Sequence, residues 1–165
     1  MEIIKITNAK SDLFIKGIFY APLFDREIKI NIDPDVDMKY AEMCAEHFNN
    51  LSEKMVDEFC EMAIYYCEFM REGWADFGYD DIVAEINKAI PNRLKGREVL
   101  KFISDPQMYI ELPEENIPGY SITSDCIWEP EHQLEWIIKG NRNLYVGEVR
   151  GLNAWDNESE YECDY

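Results

Sequence analysis

The chain has 165 residues, of which 47% are hydrophobic and 13% aromatic, so we expect one folded domain spanning residues 1–165. Thirty-four acidic and sixteen basic residues give a net charge of −18, which excludes nucleic-acid binding through a basic surface and disfavours an anionic membrane surface. No run of about 18 apolar residues occurs, and the first residues are too charged for a signal peptide, so we expect a cytoplasmic protein.

The cysteines predict reduced thiols. They are odd in number, and no two have the spacing of a CxxC pair: Cys44, Cys60, Cys67, Cys126 and Cys163. This pattern argues against a disulfide framework and against a zinc knuckle. We interpret them as small apolar residues of the core.

Three β-strands are predicted at the N-terminus, over residues 2–7, 12–20 and 26–32. The third has the clearest pattern, because Ile28, Ile30 and Ile32 alternate with polar residues. A period of two is typical of a strand with one solvated face. Pro22 and Asp25 predict the turn that precedes it.

Helices are predicted in the middle of the chain. One helix is expected over residues 38–49. A second helix is expected to begin at a capping box that starts at Asn50, and to end near Gly73. Its apolar residues recur at helical spacing, so this is an amphipathic helix. A weaker helix is predicted over residues 80–89 and a short one over residues 97–104, ended by Pro106.

The last third predicts four strands, over residues 107–112, 120–128, 133–139 and 144–149, with a hairpin turn at Gly140-Asn141. Trp128 and Trp136 are expected in the core. Residues 156–165 carry five acids at alternate positions and predict a frayed acidic tail. Together these elements predict an α+β fold, with a mainly antiparallel sheet of N- and C-terminal strands packed on central amphipathic helices.

One predicted hairpin concentrates groups that could do chemistry. Cys126, Trp128, Glu131 and His132 fall within seven residues, where a thiol, a carboxylate and an imidazole could meet across a turn. A thiolate nucleophile needs a nearby base, and a zinc site needs three N, S or O ligands. One residue of each type is a weak pattern, and the alternative is that Cys126 and Trp128 are core residues while His132 fixes the turn. We therefore assign no catalytic, cofactor-binding or metal-ligating residue and expect no cofactor.

A second candidate site is an acidic face. Residues 33–89 hold fifteen acidic and four basic residues, so the charge is concentrated on the helices. Asp57, Glu61 and Glu68 lie opposite the apolar stripe of the long helix. Such a face would attract a basic protein partner. The alternative is that the charge only keeps the protein soluble.

The hairpin resembles a family of uncharacterised bacterial domains of unknown function, which have strands, long helices and then strands. Its members carry a C-x-W-[DE]-x-E-H-G stretch, which here reads C-I-W-E-P-E-H-Q over residues 126–133. A strand and a V-x-x-[VI]-G motif follow it, and the later part here reads L-Y-V-G over residues 144–147. Gln133 stands where the family has glycine. Such families often occur near toxin and immunity genes, and the resemblance implies no activity.

Two hypotheses about function follow. The first is a non-enzymatic acidic protein-binding module of the bacterial immunity or antitoxin type. The alternative is a small metal-binding protein or enzyme centred on Cys126, Glu131 and His132. The sequence does not predict the oligomeric state.

Overall fold

The computed structural model describes residues 2–9, 13–163 and 165, and it has an α+β fold built on one seven-stranded sheet. The strands lie in chain order across the sheet, and every neighbouring pair is antiparallel except β3 and β4, which are parallel. The strands are β1 Lys5–Asn8, β2 Ile15–Ala21, β3 Arg26–Ile32, β4 Ile103–Ile110, β5 Gly119–Cys126, β6 Leu134–Lys139 and β7 Arg142–Gly147. The helices are α1 Met38–Asn49, α2 Glu53–Asp76 and α3 Asp80–Ala89. All three lie in the chain between β3 and β4.

The period-two pattern in β3 is confirmed. Ile28, Ile30 and Ile32 are at most 3% exposed and enter the core. Before β3, a 3-10 turn ends at Asp25, whose φ of 51° is left-handed and whose carboxylate accepts a 2.6 Å hydrogen bond from the Tyr20 hydroxyl. Asp12, the predicted start of the second strand, lies outside the described residues.

The long helix is confirmed, but both of its ends differ from the prediction. Its N-cap is Ser52 rather than Asn50, because the Ser52 hydroxyl accepts a 3.2 Å hydrogen bond from the Met55 amide. The helix also continues three residues past Gly73 to Asp76. The buried Trp74 accounts for this extension, because its packing favours one further helical turn over the weak helix propensity of glycine.

The short helix predicted over residues 97–104 is present as a 3-10 helix, but it ends two residues earlier than predicted. A 3-10 helix spans Gly96–Phe102, and β4 begins directly after it. We predicted that Pro106 would end a helix, but Pro106 lies within β4. The strand tolerates this proline because Asp105 has a φ of 47° and the pairing with β5 shifts register between Ser104 and Gln107, which forms an irregularity in the ladder.

Aromatic side chains join the helices to the sheet. Phe59 of α2 stacks on Trp136 of β6 with ring centroids 3.8 Å apart, and Phe48 of α1 packs edge-on against the same indole. Trp128 and Trp136 are both fully buried, which confirms their assignment to the core. Four of the five cysteines are buried, and no disulfide joins any of the described residues. Within the described part of the chain, no helix is both long and apolar enough to cross a membrane.

The C-terminal segment packs against the body of the protein, in contrast to the predicted frayed tail. Tyr161 is 7% exposed and donates a 2.7 Å hydrogen bond to the Asn153 carbonyl. The Tyr165 hydroxyl donates a 2.8 Å hydrogen bond to the Val146 carbonyl, and its ring stacks on Tyr66. The physical reason is that Tyr161, Cys163 and Tyr165 alternate with the last acids and supply apolar contact area. Asp164 lies outside the described residues.

Candidate functional site

The hairpin that carries the predicted residues is formed by β5, a seven-residue connection and β6. A buried carboxylate organises its turn. Glu129 is 2% exposed, and its Oε1 accepts hydrogen bonds from the backbone amides of Glu131 at 2.8 Å and His132 at 3.2 Å. The Tyr66 hydroxyl, from α2, donates a 3.1 Å hydrogen bond to the Gln133 carbonyl. The turn is thus fixed from within and from the helix beside it.

His132 lies beside this carboxylate. Its Nδ1 is 3.3 Å from Glu129 Oε2, and its side chain is 54% exposed. The hydrogen bond to Glu129 and the negative charge of that carboxylate raise the pKa of His132. The Val149 amide donates a 3.3 Å hydrogen bond to the His132 carbonyl, which ties the turn to the chain after β7.

A second carboxylate reaches His132 from that chain. Glu148 follows directly on β7, and its Oε2 is 4.0 Å from His132 Nδ1. Its other oxygen, Oε1, is 3.9 Å from Arg150 Nε. One potential ligand atom from each of Glu129, His132 and Glu148 lies within 4.8 Å of the others. We call these three residues the Glu-His-Glu cluster.

Gly147 positions Glu148. A Cβ atom at residue 147 would lie 2.7 Å from the Tyr145 hydroxyl oxygen and would also collide with the Tyr165 hydroxyl. Only glycine therefore allows the two tyrosines to close over the end of β7. This close approach requires a residue without a Cβ atom at position 147.

Gln133 ends the turn in the left-handed region, with a φ of 66°. Glycine adopts this conformation without strain, whereas other residues rarely do. The Gln133 side chain donates a 2.6 Å hydrogen bond from Nε2 to Asp125 Oδ1, which helps to offset the cost. The turn therefore has a geometry suited to glycine although it holds glutamine.

The structure rearranges the predicted set of hairpin residues. Cys126 is 7% exposed, and burial raises the pKa of its thiol to about 12, so it is protonated and unsuited to act as a nucleophile. Trp128 is fully buried and takes no part in a surface site. Glu131 is exposed, and its place beside His132 is taken by Glu129, with Glu148 as a further carboxylate.

A sequence signal for both missed residues exists. Glu129 stands three residues before His132, a spacing that fits a carboxylate folding back over a tight turn. The predicted Gly140-Asn141 hairpin indicates Glu148, because counting residue pairs outward from that turn places residue 148 beside the start of β6. The observed register differs from this count by one residue, because the pairing is irregular between Ile137 and Ile138, and Glu135 pairs with Gly147.

The acidic face is partly neutralised within the chain. Asp57 accepts a 2.9 Å hydrogen bond from Arg97 Nε, and Arg97 also pairs with Glu53. Glu68 pairs with Arg71 at 3.2 Å. Glu61 is exposed and has no ion pair among the described residues.

The face continues into a more strongly acidic region. Along α2 the acids at 57, 61, 68, 72 and 76 follow helical spacing, so they share one side of the helix. Phe77 and Tyr79 follow in the turn between α2 and α3, and they are 82% and 53% exposed. We call this region the acidic–aromatic corner: Glu72, Asp76, Phe77, Tyr79, Asp80 and Asp81. No ion pair reaches its four acids from any other described residue.

The comparisons with known proteins show the family. A domain of unknown function (DUF6985) matches residues 5–153, and the chain therefore belongs to this family. No curated protein and no solved structure matches the chain.

Proposed function

We propose that the protein is a non-enzymatic module that binds a basic protein partner through the outer side of α2 and the acidic–aromatic corner. The observation that carries this proposal is the exposure of Phe77 among four unpaired acids. Exposed aromatic residues supply the apolar contact area at protein interfaces, and the acids around them favour a cationic partner. A net charge of −18 on the chain would steer such a partner from a distance.

Backbone hydrogen bonds and a ring contact hold the corner against the end of α2, which favours binding. The Phe77 amide donates to the Gly73 carbonyl at 3.0 Å, and the Tyr79 amide donates to the Trp74 carbonyl at 2.9 Å. The Tyr79 ring also packs edge-on against the Trp74 indole. A surface held in one conformation before binding loses less entropy when the partner docks.

A cytoplasmic protein of the bacterial immunity or antitoxin type fits this proposal, because an acidic surface can cover the basic active surface of a toxin. A toxin-like reading frame next to the gene would support this type. The Glu-His-Glu cluster lies outside the proposed binding surface, so the binding function does not require it.

The test compares two variants with the same change of charge. Affinity capture from native cells identifies the partner, and its association rate with the purified protein is then measured over a series of salt concentrations. Replacing Asp76, Asp80 and Asp81 with lysine should slow association strongly at low salt. Electrostatic steering is worth about 10- to 1000-fold in rate and decreases as salt shortens the Debye length.

The control variant replaces Asp35, Glu114 and Glu115 with lysine. These acids are exposed, lie before α1 and before β5, and carry the same total charge. The control should retain most of the steered rate. Phe77→Ala should speed dissociation without changing the salt dependence. The proposal is overturned if the partner is acidic, or if the corner and control variants slow association equally.

A further inference from the structure

We propose that Glu129, His132 and Glu148 form a binding site for a divalent transition-metal ion of the Zn²⁺ class. The site would use one imidazole nitrogen and two carboxylate oxygens, a donor set typical of zinc sites. This inference is independent of the proposed binding surface. It also departs from our expectation that the chain has no metal-ligating residue. That expectation considered His132 with Cys126 and Glu131, and not with Glu129 and Glu148.

The spacing of the three ligand atoms fits a small ion. Zinc bonds to nitrogen and oxygen are about 2.0–2.2 Å long, so neighbouring ligand atoms of a tetrahedral ion are about 3.3–3.5 Å apart. His132 Nδ1 lies 3.3 Å from Glu129 Oε2 and 4.0 Å from Glu148 Oε2. Glu148 alone has to move closer, and its side chain is 44% exposed, so a change of rotamer is sufficient.

Glu129 is held ready for the ion. Its side chain is 1% exposed, and both backbone hydrogen bonds go to Oε1, which leaves Oε2 directed at the imidazole. Outer hydrogen bonds of this kind orient metal ligands and tune their affinity. The three ligands also come from two separate segments of chain, the turn after β5 and the end of β7. An ion would therefore join these two segments and stabilise the end of the sheet at which they meet.

The charge of the cluster suits a dication. Two carboxylates and a neutral imidazole carry a charge of −2, which a divalent ion cancels. Arg150 lies near the cluster, but its Nε approaches Glu148 Oε1 at 3.9 Å, whereas Oε2 faces His132. The half-exposed imidazole also leaves one side of the cluster open to solvent. A water molecule could complete the tetrahedron there, as in zinc sites with three protein ligands.

The experiment uses the full chain, purified, treated with a chelator and then dialysed. Titration calorimetry with ZnCl₂ should give one equivalent of bound ion. Thermal unfolding in about 100 µM Zn²⁺, a large excess over the protein, should give a higher melting temperature than unfolding without Zn²⁺. Glu148→Gln should weaken Zn²⁺ binding about 10- to 100-fold. This variant is preferred to one at Glu129, because the Glu129 side chain accepts two backbone hydrogen bonds that hold the turn, whereas the Glu148 side chain accepts none from the described part of the turn. His132→Ala should abolish binding.

Glu131→Gln is the matched control, since it removes a neighbouring exposed carboxylate that lies outside the cluster, and it should bind Zn²⁺ as the parent does. Co²⁺ then reports the ligand type, because its near-ultraviolet spectrum should lack the thiolate charge-transfer band that cysteine ligands produce. In the nitrogen NMR spectrum the His132 ring should shift on binding while the His47 ring does not. The proposal is overturned if Zn²⁺ neither binds nor stabilises the parent chain, if Glu148→Gln and Glu131→Gln bind it equally, or if the thiolate band appears.

Discussion

The indole Nε1 of Trp74 donates a hydrogen bond of 2.9 Å to the backbone carbonyl of Trp128. This buried contact joins the last turn of α2, which leads into the acidic–aromatic corner, to the turn that carries the Glu-His-Glu cluster. Trp74 is 8% exposed and Trp128 is fully buried, so no solvent replaces the bond if it is lost.

Trp74→Phe should therefore destabilise the protein. Phenylalanine fills much of the same space but leaves the Trp128 carbonyl without its donor, and an unsatisfied buried group costs about 1–3 kcal/mol. Urea unfolding measures the change. Trp155→Phe is the control, because the Trp155 Nε1 is buried without a hydrogen-bond partner among the described residues. If both variants lose the same free energy of unfolding, the Trp74 bond contributes nothing.

Replacing each of the two fully buried tryptophans, Trp128 and Trp136, with phenylalanine should lower the free energy of unfolding by different amounts. Trp136 Nε1 donates a 2.8 Å hydrogen bond to Asn143 Oδ1, whereas Trp128 Nε1 has no partner in the described chain. Both residues lose volume on replacement by phenylalanine, but only Trp136→Phe also breaks a hydrogen bond. We expect Trp136→Phe to cost about 1 kcal/mol more.

Trp128→Ala provides the scale for this comparison. Truncation of a fully buried tryptophan should cost about 3–5 kcal/mol of unfolding free energy. A melting temperature within a degree or two of the parent would contradict the core position of this residue.

Gln133 allows a test of backbone strain. Gln133→Ala and Gln133→Gly both remove the hydrogen bond to Asp125, but only glycine relieves the left-handed conformation at φ 66°. The glycine variant should therefore be more stable than the alanine variant by about 1 kcal/mol in urea unfolding. Equal stabilities, or a more stable alanine variant, would show that the turn changes conformation when the side chain is lost.

Glu135 should make stability depend on pH. It is 2% exposed, and burial raises its pKa to about 7, although a hydrogen bond from the Arg150 amide and the charge of Arg150 act in the opposite direction. The folded state then holds this proton over a range in which the unfolded state has lost it. Stability is retained below about pH 4.5 and falls as pH rises to about 7, by about 3 kcal/mol at most.

Glu135→Gln mimics the protonated carboxyl at every pH, so it should lack this fall between about pH 4.5 and 7. Unfolding free energies measured in parallel for both proteins give the difference. The control is Glu61→Gln, which removes an exposed carboxylate with no ion pair among the described residues, and it should follow the parent curve. Parallel curves for the parent and Glu135→Gln would refute the raised pKa.

Elements with a strong periodic pattern were predicted well from the sequence. α1 has the predicted bounds, and the isoleucines of β3 enter the core as their alternation indicates. These elements follow from local patterns that each segment carries itself. The start of β4 does not follow from a local pattern, because an aspartate followed by proline also fits the end of a helix. Only the pairing with β5 distinguishes a strand from a helix end at these residues.

The candidate site was only partly predictable for a similar reason. His132 was found because histidine is rare in this chain, which has two. The spacing to His132 and the hairpin register point to Glu129 and Glu148, but Glu131 stands even closer to His132 in the chain, so these signals do not select among the carboxylates. Glu129 is distinguished by its burial and Glu148 by the register of β6 with β7, and both depend on tertiary packing.

The single parallel pairing in the sheet has a consequence for the order of folding. Lys29 pairs with Gln107 across β3 and β4, 78 residues apart, while partners in the other strand pairs are at most 23 residues apart. Closing a long loop costs more entropy than closing a short one, and distant pairings slow folding. The antiparallel groups β1–β3 and β4–β7 can therefore form early, and the junction between them should close last, after the helices have packed. Pulse-labelling hydrogen exchange should accordingly protect the amides between β3 and β4 later than those within either group.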